Sequence, residues 1–133
     1  AGDSFEGICP YHGDCLEGMA SGPALEARTG RPARALAADD ALWDLEAYYL
    51  AWGVKTVMDV LSPQRVVLGG GVMEQRHLFP RIHRHVQRLH NGYLQHPAVT
   101  AQIDRYIVPP SLGSRAGALG ALELARLALA QAP

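Results

Sequence analysis

An α/β lobe is the fold class this sequence predicts, and three observations predict it. A short apolar run, Arg65-Val66-Val67-Leu68, stops abruptly at Gly69-Gly70-Gly71, as a buried strand does where it runs into a tight loop. A helical segment follows over residues 78–90, with Ile82, Val86 and Leu89 inward and Asn91-Gly92 as its stop signal. Residues 103–108 then read as a second strand, ended by Pro109-Pro110, and Ser111 to Gly113 lead into an Ala/Leu-rich last helix. The order β-loop-α-β-α calls for a right-handed crossover in an α/β architecture.

The elements before this unit are helical. Gly2, Gly7, Pro10 and Gly13 break any period in the first fifteen residues, which are expected to form a loop. A helical turn begins at Leu16 and is interrupted by Ser21-Gly22-Pro23. Pro23 suits the first turn of a new helix, where a missing N–H costs nothing. That helix, about residues 24–29, stops at Gly30. Asp39-Asp40 are good N-cap residues for a long helix reaching about residue 61, where Ser62-Pro63 closes it. Leu42, Leu45, Tyr49, Trp52 and Thr56 mark its expected inward stripe.

Composition sets the limits. The chain has 133 residues, 48% hydrophobic and 19% charged, with a formal net charge of −1. That length fits one domain with a real core, and so apolar a composition excludes a disordered tail. No apolar run reaches the roughly 18–20 residues of a membrane span. The first residues lack the basic and apolar blocks of a signal peptide, and no basic stripe argues for nucleic acid. The expectation is a cytoplasmic globular protein with neither membrane nor nucleic-acid partners.

Both cysteines fall in one heptapeptide, Cys9-Pro10-Tyr11-His12-Gly13-Asp14-Cys15. Two thiolates and an imidazole at three-residue intervals, on a loop bent by Gly and Pro, can converge on one ion. Sulfur with nitrogen suits zinc, which takes four tetrahedral ligands in structural sites. The plain alternative is a surface loop with two free thiols; a redox pair is disfavoured because C-x-x-C spacing is absent. Only three ligands are visible. His77, His83, His85, His90 and His96 are distant in sequence and are expected to be ordinary exposed or half-buried histidines. Asp14 and Glu17 are near, but carboxylates are less common beside two cysteines, so the fourth ligand is expected outside this chain.

The glycine loop is a place where a ligand can approach backbone, since ligands of open α/β sheets bind at the carboxyl ends of strands. It matches neither G-x-x-x-x-G-K-[ST] nor G-x-G-x-x-G, and a tight strand-to-helix turn explains it as well. Ser21-Gly22-Pro23 and Pro109-Pro110-Ser111-Leu112-Gly113-Ser114 are further candidate walls of one cleft. No Asp or Glu is placed as a general base, and no G-x-S-x-G elbow is present.

The run Gly7-Ile8-Cys9-Pro10-Tyr11-His12-Gly13-Asp14-Cys15-Leu16-Glu17-Gly18 and its continuation Met19-Ala20-Ser21-Gly22-Pro23-Ala24 closely resemble the zinc loop of bacterial ROK-family sugar kinases, most of all the fructokinase branch. Val66-Val67-Leu68-Gly69-Gly70-Gly71-Val72-Met73, Leu78-Phe79-Pro80, Asn91-Gly92-Tyr93 and the stretch from Pro110 to Ala121 resemble that branch too. The resemblance implies the C-terminal lobe of an actin/hexokinase-like (ribonuclease H-like) ATPase fold. Residues 1–133 would be that lobe, 1–18 its zinc-binding loop and 65–133 its βαβα nucleotide-side unit. It implies a structural zinc on Cys9, His12 and Cys15. It also implies contacts to Mg-ATP from Gly69, Gly70, Gly71, Val72, Met73 and Pro23.

In such kinases the N-terminal lobe carries a D-x-G-x-T phosphate loop and an N-D catalytic aspartate. An E-x-G-H motif just before the zinc loop supplies a sugar-binding glutamate and the histidine that completes the metal site. None of these motifs is in this sequence, so no catalytic or sugar-binding residue carries over. The implied partners are fructose or a related hexose, ATP, the missing N-terminal lobe and a second copy in a homodimer. The competing reading is a non-catalytic zinc-binding module, kept for dimerisation or regulation.

Overall fold

The computed structural model describes residues 2–131. Its chain order is α1 (Leu16–Met19), α2 (Gly22–Thr29), α3 (Leu42–Leu61), β1 (Val66–Val67), α4 (Leu78–His90), α5 (Pro97–Thr100), α6 (Ile103–Tyr106), β2 (Ile107–Val108) and α7 (Ala116–Ala130), with short 3-10 turns between. The described chain is therefore mostly helical, with a small parallel sheet in which Val66 faces Ile107 and Val67 faces Val108. The α/β order is kept, but the sheet is reduced to two residues per strand.

Local chemistry explains where the helices begin and end. The Ser21 hydroxyl accepts from the Ala24 amide at 3.3 Å, capping α2 with Pro23 in its first turn. Asp40 Oδ1 accepts from the Leu42 amide at 3.0 Å and so caps the start of α3. Asn91 ends α4 in the left-handed conformation, φ 46°, which Asn tolerates better than most residues.

The core lies between α3 and α4. Trp43, Ala47, Ala51, Val54 and Met58 on α3 join Leu78, Ile82 and Val86 on α4, with Leu25, Val66, Val99, Ile103 and Ile107 closing the cluster. This corrects the expected stripe on α3. Leu42, Leu45 and Tyr49 are only half-buried, Thr56 is exposed, and Trp52 is 44% exposed. Apolar residues occupy two sides of the helix, with Asp44, Lys55 and Asp59 on a polar strip between them, so two stripes compete. The small alanines at 47 and 51 fall on the side facing α4.

Residues 103–106 are the second correction, because they form a helical turn and only Ile107 and Val108 are strand. Ile103, Tyr106 and Ile107 are all buried, a spacing of three and four that belongs to a helix rather than a strand. β2 is held to α4 by His83, whose Nε2 lies 2.9 Å from the Ile107 carbonyl oxygen.

His83 and His85 do face different neighbours: His85 Nε2 lies 3.2 Å from Asp44 on α3. His90 departs from the expectation of exposed or half-buried histidines. It is 4% exposed, in the last turn of α4, with Nδ1 3.8 Å from Asp59 on α3. No described helix is long and apolar enough to cross a membrane.

Candidate functional site

The first candidate site is the cysteine loop, which is folded tightly against α1. Cys9 and Gly13 exchange backbone hydrogen bonds at 3.2 and 2.9 Å, the Ile8 amide donates to Gly18 at 3.1 Å, and the Met19 amide donates to Cys15 at 2.9 Å. This packing needs two glycines. A Cβ on Gly18 would stand 1.9 Å from the Gly13 carbonyl oxygen, and one on Gly7 would stand 2.1 Å from it. The loop is thus clasped at the Gly13 carbonyl from both sides, and its curvature turns three side chains toward one another at the surface.

Those side chains are the three expected ones. The Cys9 Sγ, a His12 ring nitrogen and the Cys15 Sγ all lie within 4.8 Å of one another. Cys9 Sγ and His12 Nδ1 are 3.7 Å apart. Zinc–ligand bond lengths in a tetrahedral site separate neighbouring S and N atoms by roughly 3.6 Å, so the donor set fits the ion with little adjustment. The backbone N–H groups of Tyr11 and then His12, directed at the Cys9 sulfur, lower its thiol to about 7. A thiol so placed is readily available as thiolate, the form that binds metal.

The second candidate site is a cavity of about 480 Å³ that opens beyond the carboxyl ends of β1 and β2. Gly69, Gly70, Gly71 and Met73 line one side of it, and Pro110, Gly113, Ser114 and Gly117 line the other. Gly70 adopts φ +99°, a conformation closed to most side chains, while a Cβ on Gly69 would touch the Pro110 ring at 3.4 Å. The two loops therefore meet across the strand ends. Glu74 and Arg76 also border the cavity; nothing in the local pattern of the sequence singled them out.

The other expected cleft residues fall outside it. Val72 is half-buried and packs against the core, and Pro23 is exposed and does not line the cavity. The N-terminus of α2 approaches the glycine loop through Val72, whose Cγ2 is 4.0 Å from where a Gly22 Cβ would be.

Two further features had no signal in the sequence. Asp3, Arg28 and Tyr49 converge from the lead-in segment, α2 and α3: Arg28 donates to both Asp3 oxygens at 3.0 and 2.6 Å, and the Tyr49 hydroxyl donates to Asp3 Oδ2 at 2.7 Å. Glu46, on α3, is 2% exposed and its Oε1 has no hydrogen-bond partner among the described residues. Desolvation by burial pushes the Glu46 carboxyl up to about 7, against an opposing pull from Arg28.

Comparison with known proteins places this arrangement. The ROK family profile matches residues 2–128. The chain belongs to the ROK family. ROK membership implies the actin-like ATPase fold, and the described residues are mostly helical with a small parallel sheet.

Within the ROK family, a putative fructokinase of Bacillus subtilis (strain 168) is 47% identical over 127 residues, covering 96% of this chain and 42% of the relative. A fructokinase of Pediococcus pentosaceus is 41% identical over 131 residues, covering 98% of this chain and 44% of the relative. A fructokinase of Lactococcus lactis subsp. cremoris is 41% identical over 109 residues, covering 82% and 37%. This ROK chain thus spans less than half the length of the curated relatives it matches.

Proposed function

We propose that this chain is the C-terminal half of an ATP-dependent fructokinase, carrying its structural zinc loop and part of its nucleotide cleft. The observation that carries the reading is the identity of 41–47% to fructokinases over nearly the whole chain, with the Cys9, His12 and Cys15 donor atoms already gathered.

In this reading Cys9, His12 and Cys15 hold a zinc ion that braces the loop, with the fourth ligand coming from the histidine of the preceding E-x-G-H segment. The ion's contribution is structural: it would fix that histidine and hence the neighbouring sugar-binding glutamate. Gly69, Gly70 and Gly71 offer backbone to the nucleotide of Mg-ATP across from Pro110 to Ser114. Met73 lines the same wall, Val72 ties it to the core, and Pro23 is assigned to the nucleotide side by the family resemblance alone. The complete protein would transfer the γ-phosphoryl group to a hexose hydroxyl. Such a transfer depends mainly on positioning and charge neutralisation, with the base on the N-terminal lobe. This chain alone binds and braces; it has no base to move the sugar proton. The whole protein is cytoplasmic in this reading and pairs as a homodimer.

The test is to co-express this chain with the N-terminal portion of the Bacillus subtilis relative and to follow ADP release with fructose, glucose and mannose. Fructose-dependent ADP release that needs both chains supports the reading. A soluble, zinc-loaded complex that releases no ADP with any hexose would favour the non-catalytic module instead. Turnover by this chain alone would contradict the assignment of the base to the other lobe.

A further inference from the structure

The segment leading into the cysteine loop is fixed by contacts that the metal reading leaves unexplained. Asp3 precedes Cys9 by six positions and receives four hydrogen bonds: two from the Arg28 guanidinium at 3.0 and 2.6 Å, one from the Tyr49 hydroxyl at 2.7 Å, and one from the Phe5 amide at 3.1 Å. The same guanidinium lies 3.9 Å over the Phe5 ring. This ion pair is shielded, with side chains 10% and 18% exposed for Arg28 and Asp3, unlike the open Arg126–Glu123 pair on α7. A bidentate Arg–carboxylate pair of this kind adds orientation as well as energy.

Resting on the zinc reading above, we propose that Asp3, Arg28 and Tyr49 form a clamp that positions the Cys9–His12–Cys15 loop for its metal. Arg28 comes from α2 and Tyr49 from α3, so the clamp anchors the lead-in segment to two helices of the lobe. The Ile8 amide then bonds to Gly18 at 3.1 Å, so the chain is held at residues 3, 5 and 8 immediately before the first ligand. A site whose ligand atoms are pre-placed binds its ion without first ordering the loop. Partners hydrogen-bonded directly to metal ligands typically set affinity by about 10–100-fold, and groups that act through the lead-in backbone, as these do, belong at the low end of that range. None of the three touches the metal; they are positioning residues.

The experiment measures zinc affinity of the 133-residue chain by competition with a chromophoric chelator, and records the visible ligand-field spectrum after cobalt loading. Asp3→Ala and Arg28→Ala should each weaken zinc binding roughly tenfold or more and broaden or shift the cobalt bands. Arg28→Lys, which keeps the charge but loses the fork, should fall between them and the parent. Arg126→Ala should match the parent. The charge exchange Asp3→Arg with Arg28→Asp should recover affinity relative to either single change.

Should the alanine variants fail to fold, Asp3→Asn and Tyr49→Phe carry the same prediction with a several-fold loss. If the parent binds zinc and these variants match it within about twofold, with unchanged cobalt spectra, the clamp is wrong while the zinc reading stands. If the parent itself binds no zinc, the zinc reading fails and the clamp fails with it.

Discussion

The Tyr106 hydroxyl donates to the Pro63 carbonyl oxygen at 2.8 Å, joining positions 43 residues apart. Pro63 lies just before β1 and Tyr106 just before β2, so the bond ties together the starts of two parallel strands whose ladder begins at Val66 and Ile107. A ladder of two residue pairs gives little alignment by itself. Tyr106 supplies some from outside the sheet, and His83 supplies more by holding the Ile107 carbonyl from α4. The cavity bordered by the glycine loop opens just past this small sheet, so its shape depends on these side-chain ties.

Replacing Tyr106 with Phe should therefore destabilise the lobe by about 1 kcal/mol, because the ring still fills its site while the Pro63 carbonyl loses its partner. Urea denaturation is the check. The midpoint should fall with an unchanged slope; an unchanged midpoint would mean that water replaces the hydroxyl at no loss.

Glycine-to-alanine changes should have opposite signs at two helical positions. At Gly18 the new methyl would stand 1.9 Å from the Gly13 carbonyl oxygen, a backbone atom with little room to retreat. Gly18→Ala should open the cysteine loop, lower stability by roughly 2 kcal/mol or more, and weaken zinc binding. At Gly120, on α7, nothing among the described residues lies within 4 Å of the added carbon, so alanine simply improves helix propensity by up to about 1 kcal/mol. Circular dichroism should show equal or greater helix content in Gly120→Ala. A Gly18→Ala protein with parental stability and zinc affinity would sink the close-approach argument.

The two tryptophans should divide in the same way. Trp43 is fully buried, its indole nitrogen donating to the Ala37 carbonyl at 2.8 Å, whereas Trp52 is 44% exposed. Trp43→Ala should cost about 3–5 kcal/mol and Trp52→Ala no more than about 1 kcal/mol. Thermal or urea unfolding of the two variants side by side decides between the observed stripe and the one the apolar pattern suggested.

What the sequence disclosed was local, and what it hid was long-range. The three metal-ligating types sit within seven consecutive residues, so spacing and turn residues were enough to gather them. The stops at Ser62, Gly69 and Asn91 are likewise local backbone chemistry. The glycine loop and the stretch from Pro109 to Ser114 could both be named as candidate walls of one cleft from their break residues, and the parallel register is what brings them together. Arg28 meets Asp3 across 25 residues and Tyr49 meets Asp3 across 46, with no periodic pattern to announce either. The turn at residues 103–106 was misread because Ile103 and Tyr106 carry strand propensity, and packing overrode it. Glu46 looked like an ordinary polar residue on a helix, since nothing in its neighbours tells which side is inward.

Glu46 gives the last prediction. Its carboxyl is buried, with Oε1 unpartnered among the described residues, and its pKa is pushed up from 4.5 to about 7 by desolvation, with Arg28 opposing. The folded state thus holds this proton more tightly than the unfolded chain does. Its contribution to stability is full below the unfolded pKa and is lost as pH rises through the folded one. Stability should decline between about pH 5 and about pH 8, and Glu46→Gln, which cannot ionise, should remove that part of the decline. The variant should be more stable than the parent at the upper pH by on the order of 2 kcal/mol, and close to it at the lower. Urea unfolding of both proteins at the two pH values is the measurement. Parallel pH dependence in parent and variant would show that the carboxyl finds a partner or water on ionising.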